Sequence, residues 1–432
     1  MARLKTTTLG CKVNQYETEY IRQGLVGIGY EDVQDGETAD LCIVNTCTVT
    51  NEGDAKSRQV IRRLARDNPD ARIVVMGCYA TRAPEEVAQL PNVAEVVTDK
   101  RELPDLLGRF GVVDIPTGIS TFGDRHRAYV KVQDGCLLRC SYCIIPHVRP
   151  ALTSRPVEPI LDEVRRLVAN GYREIVLTGV HLGHYGVDWN FQRRKENWVR
   201  LSHLTRMIAE LEGEFRIRLS SIEATEVTRE LIDVMKQYPD RICPHLHICL
   251  QSGSDAVLRR MKRRWGAKRF VDRCNLVKEM LDQPSITTDI IVGFPGETEE
   301  EFQQTCDVAE QVGFSKIHVF PFSVRRGTPA AEMADQLPKK EKQARVRHVM
   351  EIETSLRQRY FSSLEGRGLQ VLVERTGDVE QRLLGTSCRY APVEFDGGRH
   401  LVGQLVDVQA ISTEGNRLLG SAVADYSSVS ED

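Results

Sequence analysis

The sequence predicts an α/β chain in three parts, and three observations carry that prediction. Short β-branched strands alternate with helical patterns over residues 3–110, and the alternation resumes from Ala128 to Pro321. A segment rich in turn formers, Gly111–Gly123, separates the two runs. After Phe361 the pattern changes to short strands between Gly-rich turns. The expected division is 1–115, an N-terminal doubly wound parallel-sheet domain; 122–355, a partial (β/α)6 barrel; and 360–426, a small all-β barrel of OB-like size. A length of 432 residues, about three times that of one ordinary domain, agrees with three units.

In the first part, Leu4–Leu9, Leu41–Asn45, Arg72–Met76 and Val93–Val97 read as strands, with helices over Glu17–Leu25 and Ala55–Ala65. In the second, strands are expected at Ala128–Val132, Glu174–Leu177, Arg216–Leu219, His245–Cys249, Thr287–Val292 and Ile317–Phe320. Helices separate them, notably Pro159–Ala169, Lys268–Leu281 and Glu299–Val312. The segment Val187–Val199, polar and basic with Trp189 and Trp198, reads as an insertion. A charged helix, Lys339–Phe361, leads to strands at Gly368–Glu374, Leu383–Ser387, Val393–Phe395, Leu401–Ile411 and Leu418–Ala424. The polar tail Ser427–Asp432 is expected to fray.

Composition excludes several classes. With 41% hydrophobic and 28% charged residues, each part has material for a core, which excludes wholesale disorder. Fifty-eight basic against 61 acidic residues give a formal net charge of −3, so any polyanion site must come from local charge. No run approaches the ~20 apolar residues of a membrane span, and the start carries no apolar core of a signal peptide. The expectation is a cytoplasmic protein. In a reducing compartment its twelve cysteines point to metal or redox ligation before disulfides.

Cys136, Cys140 and Cys143 form a C-x3-C-x2-C cluster directly after the first barrel strand. Three thiolates in one loop can hold three irons of a 4Fe–4S cluster and leave the fourth iron open to a small chelating ligand. A zinc knuckle is the alternative, but no fourth Cys or His stands at its usual spacing. Cys11, Cys47 and Cys78 each lie just past a strand of the N-terminal sheet, about one βα unit apart. In a parallel sheet the carboxyl ends of the strands share one edge, so these three would converge on a second site. The alternative is three unrelated small buried residues, as expected for Cys42 in mid-strand. Cys243, Cys249, Cys274, Cys306 and Cys388 show no mutual spacing and read as filler.

Further signals follow the barrel strands. Leu177-Thr-Gly-Val-His-Leu-Gly183 offers glycines for close ligand approach. Cys249-Leu-Gln-Ser-Gly-Ser254 offers an amide and hydroxyls suited to a ribose. Asp289-Ile-Ile-Val-Gly-Phe-Pro-Gly-Glu297 pairs apolar residues for an adenine with a tight turn. Together at one barrel face they read as an active site. His181 and His184 read as pocket-lining or backbone-bonded residues rather than metal ligands.

With these residues in place, the chain resembles the radical S-adenosylmethionine (SAM) methylthiotransferases over nearly its whole length. Gly10-Cys-Lys-Val-Asn-Gln15, Asn45-Thr-Cys47 and Gly77-Cys78 look like that family's three auxiliary-cluster motifs, and Cys136, Cys140 and Cys143 like its radical-SAM triad. The resemblance implies two 4Fe–4S clusters, one binding SAM through its open iron and one auxiliary, and a C-terminal TRAM RNA-binding barrel. Gly-Cys-Lys-Val-Asn with Thr178-Gly-Val-His-Leu-Gly183 is most similar to the subgroup acting on N6-threonylcarbamoyladenosine at position 37 of tRNA. It implies an electron donor such as flavodoxin or ferredoxin, a tRNA anticodon stem–loop as partner, and a monomer. SAM contacts are expected from Thr178, Gly179, Arg218, Ser220, Ser221, Glu223, Gln251 and Asp289; no side chain presents itself as a general base. The implied chemistry is formation of a 5′-deoxyadenosyl radical that activates adenine C2, sulfur delivery at the auxiliary cluster, and methyl transfer from a second SAM. Two positions depart from the family, His147 and Pro150, where a Tyr and a Gly are common, and Val187–Val199 is longer than its counterpart.

RNA contact must use local charge. Arg259, Arg260, Lys262, Arg263, Arg264, Lys268, Arg269 and Arg273, with Trp265 and Phe270 interleaved, could supply phosphate contacts and base stacking, or could be a solvated helix face. The same two readings hold for Arg193, Arg194 and Lys195. The C-terminal barrel, with six arginines against eight carboxylates over 366–425, would depend on arginine placement rather than bulk charge. Rival readings are the same chemistry on isopentenyladenosine or a ribosomal-protein aspartate, and a non-catalytic iron–sulfur redox sensor that binds RNA. The barrel-end motifs argue against the sensor, which has no use for a SAM pocket.

Overall fold

The computed structural model describes residues 2–423 apart from Asp35, Asp124, 192–193, 195–196 and 378–380. The expected tail Ser427–Asp432 lies outside the described residues. The first sheet contains β1 (Arg3–Thr8), β2 (Glu31–Asp32), β3 (Leu41–Thr46), β4 (Arg72–Gly77) and β5 (Val93–Val96). Its order is β2-β1-β3-β4-β5 and every pairing is parallel. Alternation along the strands serves two cores. Leu4, Ile43, Val74 and Met76 join the core shared with the central barrel. Cys42, Val44, Ile73 and Val75 pack on Ile61, Leu64 and Tyr79 on the other face. The helix Asn51–Asp67 begins where Thr50 accepts the Gly53 amide, with Glu52 and Asp54 in its first turn.

The segment expected as a linker is a packed strap. Ile119 and Phe122 enter the central core. Ile119 donates its amide to Glu163 Oε1 at 2.9 Å, and Ser120 to Gln23 Oε1 at 2.7 Å. A Cβ at Gly118 would come within 2.6 Å of the Glu163 carboxylate, so a larger residue there would have to displace the group that accepts the Ile119 amide. The turn composition marked an irregular chain, and irregularity here serves close approach rather than freedom.

The central strands are β6 (Arg127–Asp134), β7 (Thr153–Ser154), β8 (Glu174–Gly179), β9 (Arg216–Leu219), β10 (His245–His247), β11 (Ser285–Val292) and β12 (Lys316–Pro321). They form two ladders, β7-β6-β8-β9 and β10-β11-β12, joined by parallel bridges at Ile217–Ile242 and Ile222–Ile248. The arc has six parallel strands plus the short antiparallel β7. Its outward residues, such as Val130, Leu177, Ile217, Leu246 and Ile286, are buried in the core. Their alternates, among them Glu174, Arg218, His247 and Asp289, are polar and line the inner face. The N-terminal helix Lys12–Val26 packs against β6 and β8 at the open side.

The last strands are β13 (Gly368–Thr376), β14 (Arg382–Ser387), β15 (Pro392–Asp396), β16 (Leu405–Glu414) and β17 (Arg417–Ala422). They close in the order β13-β14-β15-β17-β16 around their own core. The expected strand start at Leu401 moves to Leu405, because 399–401 form a 3-10 turn and Gly403 takes φ +90°. This barrel caps the amino ends of the central strands. Arg216 donates to the carbonyls of Gln370 and Thr386 at 2.7 and 2.8 Å, and Tyr390 stacks on His245 with centroids 4.8 Å apart. No helix among the described residues is long and apolar enough to cross a membrane.

Candidate active site

Cys11, Cys47 and Cys78 stand directly past β1, β3 and β4, on one sheet edge. Glycine is required beside them. Gly10 has φ +99°, and a Cβ there would lie 3.1 Å from Cys47 Sγ; Gly77 has φ +97°, and a Cβ there would strike Asn45 Oδ1 at 2.3 Å. The motif asparagines hold the loops in register. Asn14 Nδ2 donates to the carbonyls of Leu9 and Thr46 at 2.8 and 3.1 Å, and Asn45 Nδ2 donates to Asn14 O at 2.9 Å. The three thiols are mutual electrostatic neighbours, and burial pushes the Cys47 thiol up.

Cys136, Cys140 and Cys143 occupy the irregular loop after β6. Its entry needs Gly135, at φ +76°, where a Cβ would lie 1.9 Å from Ala151 O. Ser141 straps the loop to the body of the barrel through Met261 O at 3.0 Å and Arg260 O at 2.7 Å. These three thiols are also electrostatic neighbours; burial raises Cys140 and pushes Cys143 up to about 12. Two donors face them. Arg263 Nη1 lies 3.4 Å from Cys140 Sγ, and His181 Nδ1 lies 3.6 Å from Cys136 Sγ. Burial disfavours a charged His181, but the Cys136 thiol and the Glu226 carboxylate, 3.4 Å from its Nε2, outweigh it and lift its pKa to about 9. His184 stacks on His181 at 3.6 Å, and burial followed by that neighbouring charge lowers it to about 4. A soft three-thiol set with adjacent cationic donors suits an anionic thiolate-ligated cluster.

The structure brings most of the residues expected around SAM to the carboxyl ends of β8, β9 and β10 and to the middle of β11. Gly179 approaches Gln133, where a Cβ would lie 2.9 Å from Oε1, and Thr178 is buried beside it. Among the described residues the buried Ser220 hydroxyl has no hydrogen-bond partner, while Ser221 is exposed. Glu223 accepts from Arg263 and, at 3.2 Å, from Trp265 Nε1. Gln251 takes φ +65° and exchanges backbone hydrogen bonds with Asp289 and Ile291 at 2.8 and 2.9 Å, locking the loop after β10 to β11. Asp289 Oδ2 lies 3.3 Å from His247 Nε2. Arg218 does not join them. Its guanidinium is taken by Glu174 at 2.9 Å and by the carbonyls of Ser387 and Cys388 at 3.0 and 3.2 Å, so it holds the C-terminal barrel in place of the expected SAM contact.

The basic run is divided in the same way. Arg263 tucks its side chain, 3% exposed, against the cysteine loop, Arg260 pairs with Glu301 at 2.6 Å, and Trp265 and Phe270 sit in the core, removed from any base. Arg259, Lys262, Arg264, Lys268 and Arg269 remain exposed. Within the insertion, Val187–Asn190 is a short helix, and Trp189 meets the Tyr185 ring at 5.4 Å. Of its basic residues Arg194 is described, whereas Arg193 and Lys195 lie outside the described residues. The insertion walls a cavity of about 570 Å³ lined by His184, Tyr185, Phe191, Trp198, Arg200 and Glu226.

Sequence reasoning missed Arg149. Fully buried, it contacts Glu17, Asp134 and Asn14 at 2.8–3.0 Å and couples the two cysteine loops. Its signal is an arginine directly after the short apolar turn Ile145–Val148, which carries little information alone.

Six β/α units with three cysteines after the first strand define a radical SAM barrel, and the chain matches the Radical SAM superfamily over residues 130–309. Residues 3–99 match a family described as Uncharacterized protein family UPF0004. Similar proteins run nearly end to end. Threonylcarbamoyladenosine tRNA methylthiotransferase MtaB of Bacillus subtilis (strain 168) is 41% identical, covering 95% of this chain and 94% of its own. Its namesake in Thermotoga maritima is 38% identical, with 96% of each chain covered. The tRNA-2-methylthio-N(6)-dimethylallyladenosine synthase of Corynebacterium diphtheriae is 35% identical over 94% of this chain and 83% of its own. The chain belongs to the radical SAM methylthiotransferase family. It is an enzyme of that class, in which a 4Fe–4S cluster and SAM are the shared cofactors. Among solved structures, the radical SAM methyltransferase TsrM of Kitasatospora setae shares the fold at TM-score 0.56 and 14% identity, covering 77% of this chain and 75% of that one.

Proposed function

We propose that the protein converts N6-threonylcarbamoyladenosine at position 37 of tRNA, on the 3′ side of the anticodon, to its 2-methylthio derivative. The observation that carries this reading is the end-to-end similarity to proteins named for that substrate, at 41% and 38% identity. Isopentenyladenosine is the rival substrate: the synthase of Corynebacterium diphtheriae named for it is 35% identical, below the 41% and 38% of the two proteins that carry the reading.

In this reading Cys136, Cys140 and Cys143 hold the SAM-binding cluster, and Cys11, Cys47 and Cys78 hold an auxiliary one. When bound, the two clusters and SAM supply one-electron cleavage of SAM, sulfur delivery and methyl transfer. The chain's residues position and shield that chemistry. Arg263 and His181 offset thiolate charge on either side of the first triad. Thr178, Gly179, Ser220, Ser221, Glu223, Gln251 and Asp289 form the SAM cradle. The free Ser220 hydroxyl and the left-handed Gln251 support that assignment. The division into 1–115, 122–355 and 360–426 follows the three strand groups, with the last a TRAM barrel gripping RNA. A flavodoxin- or ferredoxin-type donor supplies electrons to a monomer.

The test is nucleoside mass spectrometry of tRNA from a deletion strain. The 2-methylthio-threonylcarbamoyladenosine peak should vanish, its unthiolated precursor should accumulate, and plasmid expression should restore it. A normal peak in the deletion strain contradicts the reading.

A further inference from the structure

Lys12 follows Cys11 directly and opens the helix Lys12–Val26. Its half-buried side chain turns to the inner face of the central barrel, with the ammonium 6.0 Å from the centre of the Tyr129 ring. Its electrostatic neighbours are Arg218, Arg127, Glu174 and Asp289. The other cations of that inner face are paired. Arg127, Arg216 and Arg218 converge on Glu174, and Lys131 closes on Glu17 and Asp134 at 2.7 and 2.6 Å. Among the described residues, no carboxylate oxygen lies within 4.0 Å of the Lys12 ammonium. Asp289 faces His247 at 3.3 Å instead. The inner face therefore carries more positive than negative charge, and its unpaired cation, next in sequence to Cys11, faces Tyr129 among Arg218, Arg127, Glu174 and Asp289.

Resting on the substrate reading above, we propose that Lys12 is a specificity residue that pairs with the free carboxylate of the threonylcarbamoyl group. That group ends in an anion a few bonds from adenine N6, whereas a dimethylallyl group is wholly apolar. A substrate bearing the anion would complete the pair Lys12 lacks. One without it would bury the ammonium unpaired, and discrimination of this kind is strong because a missing polar partner costs more than a missing methylene.

The test uses reconstituted holoenzyme and anticodon stem–loop RNA with threonylcarbamoyladenosine at position 37, either as the free acid or as its methyl ester. Binding is read by fluorescence anisotropy. The wild type should bind the acid about tenfold more tightly than the ester. Lys12→Gln should bind both at the ester's affinity, and Lys12→Arg should recover much of the preference. Equal affinity of the wild type for acid and ester overturns the proposal, as does a Lys12→Gln variant that keeps the full preference. If Lys12→Gln fails to load iron, the acid–ester comparison on the unaltered protein decides alone. Wild-type conversion of acid and ester at equal rates would sink the Lys12 role but leave the substrate reading standing. Failure to convert the acid at all would sink the substrate reading itself.

Discussion

Arg149 grips both carboxylate oxygens of Glu17, with Nη1 and Nη2 each at 2.8 Å, across 132 residues of sequence. Both side chains are almost fully buried, and Asp134 and Lys131 complete the group. The pair ties the loop that follows Cys143 to the helix that follows Cys11. It therefore fixes the distance between the two cysteine triads, on which any transfer between them depends.

Removing one partner of this group should be costly. Glu17→Gln leaves a buried guanidinium short of charge, and a loss of about 3–5 kcal/mol is expected, read as a lower midpoint in urea. The pH dependence has a definite sign. Burial alone would raise Glu17, but Arg149 and Lys131 together hold it below the ordinary glutamate range, and Asp134 is likewise depressed. Their stabilisation is present above the unfolded carboxylate pKa of about 4 and is lost as pH falls through the depressed values. Wild-type stability should decline more steeply below about pH 4 than that of Glu17→Gln. Parallel acid limbs would contradict the pairing.

The two triads should separate two halves of the chemistry. Replacing Cys136, Cys140 and Cys143 with Ala should remove about half the bound iron and abolish 5′-deoxyadenosine formation. Replacing Cys11, Cys47 and Cys78 should remove the other half, preserve SAM cleavage and stop thiolation. Iron content with product chromatography checks both, and thiolation surviving loss of the second triad rules out its role.

Arg218 distinguishes an anchoring role from cofactor contact. Arg218→Ala should loosen the C-terminal barrel, seen as faster proteolytic release near 363–367, because its bonds to Ser387 and Cys388 are lost. Its SAM affinity, measured by equilibrium dialysis with the cluster loaded, should change less than twofold. A tenfold weaker SAM affinity with an intact protease pattern would restore the expectation that Arg218 contacts SAM.

Exposed cations of the 259–269 segment should grip phosphates. Neutralising Lys262, Arg264 and Arg269 together should weaken tRNA binding and flatten the plot of log K against log salt, by roughly 0.7–0.9 per lost contact. An unchanged slope assigns the face to solvation. Arg263→Gln is expected to act differently, lowering cluster retention, because Arg263 lies against Cys140.

Strand positions and both triads were legible because they rest on local signals: alternation, chain-wise βα spacing and glycines that admit no Cβ. Cys11, Cys47 and Cys78 share an edge for topological reasons, which sequence order alone states. The fate of charged side chains was not legible. Arg218 and Arg263 sit among residues expected to meet ligand or RNA, yet both are consumed by partners distant in sequence, Glu174 and Ser387 for one, Glu223 and Cys140 for the other. Trp265, in the turn before the helix Ala267–Met280, and Phe270, on that helix, read as stacking platforms because an aromatic's place in the sequence does not state whether it faces core or solvent. The strap over 111–123 hid its packing for a related reason: glycine admits both freedom and close approach.

The most direct measurement is a single-turnover reaction of the reconstituted protein with SAM, reductant, a sulfide source and anticodon stem–loops bearing threonylcarbamoyladenosine or isopentenyladenosine at position 37. Nucleosides are quantified by mass spectrometry. Conversion of the threonylcarbamoyl substrate to its 2-methylthio form, with 5′-deoxyadenosine produced and the isopentenyl substrate at least tenfold slower, is the predicted result. Preferential thiolation of isopentenyladenosine, or SAM cleavage with neither nucleoside thiolated, would contradict it.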